Sequence, residues 1–474
     1  MSRTGLLHSA RRIALLAWPV FVGQVAVLLF VTIDTVMVGR LGARDLAALA
    51  IGASVYTTVF IGLMGALMAI TPIAGQLYGA GKPHEAGHQL HQAMWLALGL
   101  SLLGCTVLLF PQPFLELAHA PPEVAGEVRK YLAALALALP SALLFTAFRG
   151  FNFAVSRPRV VMLLQLGALM LKLPLTAMLV LGIELQTPFG KLAVPSLGAQ
   201  GCGIATAVVM AGQMLLAWQL LRRDPFYQSF GLRGRFSAPH RASLVGLLRL
   251  GVPMGLSIAI EVTGFTFMAF FIARFGTTPV ASHQIALNLV SLIFMLPLAI
   301  GNATSALVAQ RIGAGDLDDA RRLGWHGVEA GMVVATVVAC AVYLLRLPIL
   351  QIYTDKPAII AAALPLLAWL VLFHIADAGQ TLAAFVLRAY RIAIVPLVIY
   401  VVAIWGVGMA GGYAVAFNTT GLSPVSLQGA QGFWAAATAG LVVASTSLCG
   451  YLAWMLKRQR ARSTAATVAG PSAP

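Results

Sequence analysis

The chain has 474 residues, 59% of them hydrophobic and only 10% charged, with a mean hydropathy of +0.88. Soluble domains carry about 25% charged residues, so this composition cannot build a water-facing surface and excludes a large soluble enzyme. The net charge of +16 would point to nucleic acid in a soluble protein. Here the aromatic-basic interleaving of single-strand binders is missing, basic residues flanking apolar spans account for the charge, and no nucleic-acid partner is expected.

The N-terminal stretch "MSRTGLLHSARR" runs straight into an apolar segment and lacks the pattern of a removable signal peptide. About twelve segments of spanning length follow, near residues 13–38, 45–72, 90–112, 126–148, 160–183, 198–221, 243–272, 280–305, 323–346, 358–386, 393–417 and 428–456. They are too long and too uniformly apolar for barrel strands, so the fold class is all-α, a polytopic membrane protein. Most Lys and Arg residues fall in one set of loops and in the C-terminal tail, which places both termini on the cytoplasmic side of the inner membrane. The longest basic loop reads as a linker. The expected organisation is a six-helix bundle over 1–222, a cytoplasmic linker over 223–242, a second six-helix bundle over 243–457 and a disordered cytoplasmic tail over 458–474.

Sliding the chain along itself by 234 residues brings Pro19 onto Pro253. At the same offset Arg40 meets Arg274, Gly42 meets Gly276, Gln76 meets Gln310, and "GAG" at 79–81 meets "GAG" at 313–315. The chain reads as a duplication. An even number of spans per half leaves both halves facing the same way, which predicts a pseudo-two-fold axis along the membrane normal, a pattern found in transporters.

Six ionisable residues fall inside the spans: Asp34, Lys172, Glu261, Glu329, His374 and Asp377. Each costs about 2.5–3.5 kcal/mol at the bilayer centre even on a lenient scale, so each is expected to face the bundle interior. A carboxyl in so apolar a place can hold either a proton or a metal cation, the minimal part of a secondary transporter. Asp34, Glu261 and Asp377 lie deep in spans 1, 7 and 10 and are the candidates for cation or proton coupling, with Glu261 and Asp377 as a possible Na⁺ site. Glu329 follows Arg321 and Arg322 closely and reads as a solvated group near the interface. His374, one turn before Asp377, can tune that carboxylate or simply pack. Lys172 is too deep to snorkel and is expected to pair with Asp34, the deep acid of its own half. Gln24, Gln284 and Asn288 are supporting polar candidates, the last two sharing a helix face. Prolines inside spans, among them Pro140, Pro174, Pro297 and Pro365, permit bends. The four cysteines, Cys105, Cys202, Cys340 and Cys449, form no metal or disulfide pattern. No sequence pattern of an intramembrane enzyme or an ATP-driven pump is found, so no enzymatic activity and no cofactor are expected.

"DTVMVGRLGARDLAA" at 34–48, "QLYGAGK" at 76–82, "SRPRVVM" at 156–162, "LGAQGCGIATA" at 197–207 and "HQIALNLVSLIFMLPLAIGNATSALVAQRIGAG" at 283–315 resemble the multidrug and toxic compound extrusion family, in its NorM-like bacterial branch. The resemblance implies a twelve-helix, two-bundle exporter that exchanges drugs or organic cations for Na⁺ or H⁺ by alternating access. It places the family's acids of helices 1, 7 and 10 at Asp34, Glu261 and Asp377, and the glutamine of helix 8 at Gln284. Two departures stand out: "KLPLT" at 172–176 where the family carries asparagines, and Ala376 where it often has Pro before the acid. Small-molecule drugs, membrane lipids and a monomeric state are expected. A lipid-linked oligosaccharide flippase of related architecture is the alternative, but it needs basic cavity residues, and only Lys172 qualifies in mid-span.

Overall fold

The computed structural model describes residues 3–117, 121–187 and 190–468. It contains twelve helical spans long and apolar enough to cross a membrane, from Gly5–Gly39 to Ala430–Ala461. Each overlaps one of the twelve expected segments. The chain is a multi-pass membrane protein. One feature lies outside an all-helical reading: strands β1 (Ile183–Thr187) and β2 (Gly190–Val194) pair antiparallel, with Ile183 opposite Val194. The short segment leaving a span closes its own backbone hydrogen bonds in this hairpin.

The chain forms two compact units, residues 15–256 with 313–315, and residues 1–14, 257–312 and 316–474. These bounds differ from the expected 1–222 and 243–457, because two helices begin in one unit and continue in the other. Helix α1 (Arg3–Gly39) starts in the second unit. There Ser9 hydrogen-bonds the buried His326 ring at 2.9 Å, and Arg12 meets Asp319 at 3.3 Å, an acid shared with Arg311 at 3.0 Å. The helix carrying Glu261 (Arg241–Ala273) starts in the first unit. Its Gly255 lies so close to Gly65 that a Cβ on Gly65 would stand 2.1 Å from the Gly255 Cα, and a Cβ on Gly251 would meet the Ala66 carbonyl oxygen at 2.1 Å. Such small-residue crossings let helix backbones touch where hydrocarbon solvent provides no hydrophobic drive.

Within the first unit the span Pro122–Ala154 is the most enclosed, with Phe145, Phe148 and Phe151 buried. Pro122 starts it, and Ser156 ends it in a left-handed turn (φ 59°) before Pro158 opens the next helix. The expected linker 223–242 is a docked strap. Asp224 accepts from Arg157 at 2.6 Å and from the Phe226 N–H at 2.9 Å, and Tyr227 donates to Asn152 at 2.6 Å. Further along, Gln92 donates to the Ala238 carbonyl at 2.8 Å and accepts from the His240 N–H at 2.7 Å, while the Trp95 indole donates to the Ser237 carbonyl at 2.9 Å.

In the second unit the C-terminal half of the span Pro357–Ala389 is buried almost without interruption, packed on the spans Leu317–Leu344 and Ala430–Ala461. Phe373 and Trp434 pack at 5.3 Å between ring centroids, and the Trp434 indole donates to His283 at 3.1 Å. The eleventh span, Ile394–Ala416, widens into a π-helix over Val401–Ala410. The last helix continues to Val468, through much of the stretch expected as disordered tail; 469–474 lie outside the described residues.

The internal repeat has a backbone signature. Gly42 (φ 143°) and Gly276 (φ 107°) share a conformation forbidden to most side chains, as do Gly81 (φ 71°) and Gly315 (φ 79°). Both pairs are separated by the same 234 residues at which the halves match in sequence.

Partial burial alone would push the Asp224 carboxyl up, but the Phe226 N–H and the Arg157 guanidinium hold it below its ordinary value. This contact therefore stabilises fully above the unfolded carboxylate range and fades as pH falls through the lower, folded value. Asp224→Asn is expected to lower the thermal transition by roughly one or two degrees at neutral pH, with the gap closing in acid, as read by thermal unfolding across pH. Gly65→Val is expected to reduce the folded yield on size-exclusion chromatography severely, because the backbone of Gly255 cannot move aside cheaply.

Candidate functional site

Four of the six ionisable residues of the spans gather into two clusters, one in each unit. In the second unit, Glu261 comes from the span Arg241–Ala273, and Asp377, Gln380 and Thr381 from Pro357–Ala389. Tyr400 stands at the start of the π-helix. The Gln380 side-chain amide lies between the two acids: its Nε2 is 3.1 Å from Glu261 Oε1 and 2.9 Å from Asp377 Oδ1. It also lies 3.1 Å from the Thr381 hydroxyl. An amide nitrogen has two hydrogens, enough to give one to each carboxylate. The Tyr400 hydroxyl donates to the carbonyl end of the same amide, which fixes the orientation of Gln380. Asp377 is 3% exposed. Three turns further along the same helix, the buried Arg388 places its guanidinium 4.8 Å from the Phe385 ring centroid and within electrostatic reach of Glu261. Arg388 is thus a buried cation, although it falls just past the expected span 358–386.

Glu261 also faces a cleft whose other walls are apolar: Phe265, Met268, Phe373, Met409 and Phe433 are among its lining residues. The π-helix contributes one wall of the cleft, with Ile404, Gly408 and Met409. The Trp405 indole ties this helix back by donating to the Ile260 carbonyl at 3.2 Å. The wide turn is possible because glycines let neighbours approach: a Cβ on Gly440 would meet the Ala403 carbonyl oxygen at 2.5 Å. π-turns interrupting helices often mark functional sites.

The first unit holds the other cluster. Lys172 Nζ lies 2.8 Å from Asp34 Oδ2 and 2.9 Å from the Thr206 hydroxyl, which in turn donates to the Cys202 carbonyl at 2.8 Å. The ammonium also sits 4.9 Å from the Phe30 ring centroid. Both members are buried, with side chains 2% and 11% exposed. The pairing expected from the sequence is present.

Among the described residues, no hydrogen bond joins the other expected site residues to these clusters. Gln284 and Asn288 are exposed, and Asn288 accepts from Tyr353 at 2.8 Å. The two share a helix face, and both are exposed on it. Gln24 is half-buried, and Glu329 is exposed. His374 is fully buried, and neither ring nitrogen has a hydrogen-bond partner among the described residues. Gln380 and Tyr400 were missed. Gln380 carries a weak signal, three residues after Asp377 and so on its face; Tyr400 carries none, because only tertiary packing brings its helix to Gln380.

A repeated arrangement of helical spans with acids buried inside each half defines a polytopic carrier of the secondary-transporter type. The MatE family model matches residues 19–178 and 253–414, two matches that start at the 234-residue spacing of the internal repeat, and the chain belongs to that family. It is 38% identical over 447 residues, 94% of this chain and 93% of the relative, to the probable multidrug resistance protein NorM of Aromatoleum aromaticum. It is 34% identical over 464 residues, 96% of this chain and 95% of the relative, to the multidrug resistance protein PmpM of Pseudomonas aeruginosa. Its fold is that of the eukaryotic MATE transporter AtDTX14, with a TM-score of 0.83 at 19% identity over 97% of this chain and 99% of the other. The Vibrio cholerae MATE transporter VcmN in its bent form matches with a TM-score of 0.83 at 18% identity, over 96% and 99% of the two chains.

Gln380→Leu removes the one donor that serves both carboxylates. It is expected to lower thermal stability at neutral pH by the equivalent of about 1–3 kcal/mol for the charged hydrogen bonds lost. The deficit should shrink in acid, where a protonated carboxyl supplies its own donor; thermal unfolding across pH checks both.

Proposed function

We propose that this protein is a cation-coupled multidrug exporter of the inner membrane, exchanging organic cations and related drugs for Na⁺ or H⁺ by alternating access. The observation that carries the reading is the pair Glu261 and Asp377, joined by one amide, with Glu261 at an aromatic and methionine-lined cleft. Two carboxylates on a single neutral donor, with the Arg388 guanidinium alone as a cation within electrostatic reach of Glu261 among the described residues, leave an excess of one negative charge in an apolar setting, and a proton or a monovalent cation relieves it. The cleft offers ring faces and polarisable sulfur to a lipophilic cation, with Glu261 as the counter-charge. Drug and coupling ion then compete for one acid, which makes their exchange obligatory. One charge crossing about 100 mV provides about 2.3 kcal/mol, enough for roughly a 50-fold drug gradient. Relatives named as multidrug resistance proteins over nearly their whole length support the same reading. Both termini lie in the cytoplasm on this reading, and the protein works as a monomer in contact with membrane lipids.

Efflux of a fluorescent cationic dye from reconstituted vesicles, with Na⁺ and pH gradients imposed separately, tests the proposal and decides the coupling ion. Glu261→Gln and Asp377→Asn keep shape and remove charge, and each is expected to reduce gradient-driven efflux by at least about tenfold at equal insertion. Wild-type efflux by both variants would remove the carboxylate pair from the mechanism.

A further inference from the structure

We propose that the first unit carries its own permanent cation. The Lys172 ammonium is fixed on Asp34, so Asp34 is a structural partner and not a coupling acid, and ion coupling passes through the second unit alone. The inference rests on the exporter reading for the meaning of "coupling", but not for the pair itself.

The contrast between the two clusters carries the argument. In the second unit two acids share one neutral amide and have one guanidinium, Arg388, within electrostatic reach of Glu261, so one negative charge is left for an incoming cation to offset. In the first unit one acid already faces one ammonium at 2.8 Å. The remaining partners there bring no charge: the Thr206 hydroxyl, the Phe30 ring, and the Cys202 thiol and Tyr131 phenol that face Asp34 from their own spans. Lys172 is the one charged group acting on Asp34 among the described residues. A proton or Na⁺ arriving at Asp34 would leave the cluster with a net positive charge and a buried ammonium without an anion. Lys172 cannot withdraw to water, since its side chain is 2% exposed and a second hydrogen bond and a ring face hold its tip. Asp34 Oδ1 has no hydrogen-bond partner among the described residues, so the ammonium on Oδ2 is the charge that compensates the acid. The repeat supports the division of labour. At the offset of 234, Asp34 falls opposite Met268 and Lys172 opposite Gly406. Met268 lines the second-unit cleft, and Gly406 lies in the π-helix.

The test is a pair of substitutions compared with each single change. Asp34→Asn alone strands the ammonium and is expected to cut folded yield and dye efflux by about tenfold or more. The double variant Asp34→Asn with Lys172→Asn removes both charges together. It is expected to recover efflux to within about threefold of wild type, because neutral replacements of a buried pair are often tolerated, with the same number of coupling ions per dye. A folded double variant with a reduced ion-to-dye ratio, or with no gradient-driven efflux, would overturn the proposal. A second measurement does not depend on transport. In the Glu261→Gln, Asp377→Asn background, infrared difference spectra through neutral pH should contain no protonated-carboxyl band that disappears on Asp34→Asn. Adding Lys172→Asn should create such a band. An Asp34-dependent band with Lys172 in place would refute the inference, whereas a wild-type protein that moves no dye under either gradient would refute only the exporter reading.

Discussion

An ionisable side chain inside a hydrocarbon-spanning helix must be compensated from within its own bundle, and the rest of the structure follows from this requirement. Water cannot reach these groups cheaply, so each deep charge dictates which helix stands beside it and how that helix is rotated. Asp34 demands the helix of Lys172, which in turn demands Thr206. Glu261 and Asp377 demand Gln380, whose orientation depends on Tyr400. Each acid thereby ties together spans that are distant in sequence.

The same requirement is met differently in the two halves. One half sets a single acid against a single ammonium; the other sets two acids on a neutral donor, with one guanidinium in electrostatic reach, beside an apolar cleft. On the proposed function, the first arrangement is electrically closed and the second is open to a mobile cation. A duplicated chain has kept its frame, seen in the shared left-handed glycines at 42 and 276 and at 81 and 315, while its two interiors have diverged. Where the first half has the lysine-bearing "KLPLT", the second has the glycine-rich π-helix. A side chain that fills space and supplies charge has been exchanged for a backbone that widens and makes room.

Packing between spans relies on close backbone approach. Gly65 against Gly255, and Gly440 against Ala403, place main chains in contact. The strap at 224–240 works by another route, through directional hydrogen bonds from Gln92 and Trp95 and the Arg157–Asp224 ion pair. Polar groups near the end of a span, Gln92 and Trp95 among them, can specify a fixed docking of a basic segment.

The amino-acid sequence by itself determined the twelve spans, the duplication and the identity of the deep acids. Span length and charge depletion are imposed by the bilayer on each segment locally, and need no knowledge of the neighbours. The pairing of Lys172 with Asp34 was also legible, because each half holds few deep charges and a buried ammonium has few possible partners. Only the tertiary structure decided that Gln380 bridges Glu261 and Asp377, that Tyr400 orients it, and that Arg388 is buried. It also left Gln284 and Asn288 exposed and placed the first turns of α1 in the second unit. Those outcomes depend on the rotation of each helix about its axis and on where long helices change unit. Apolar positions surround these spans on nearly every side, so hydrophobic periodicity cannot single out the inward face, and packing alone sets it.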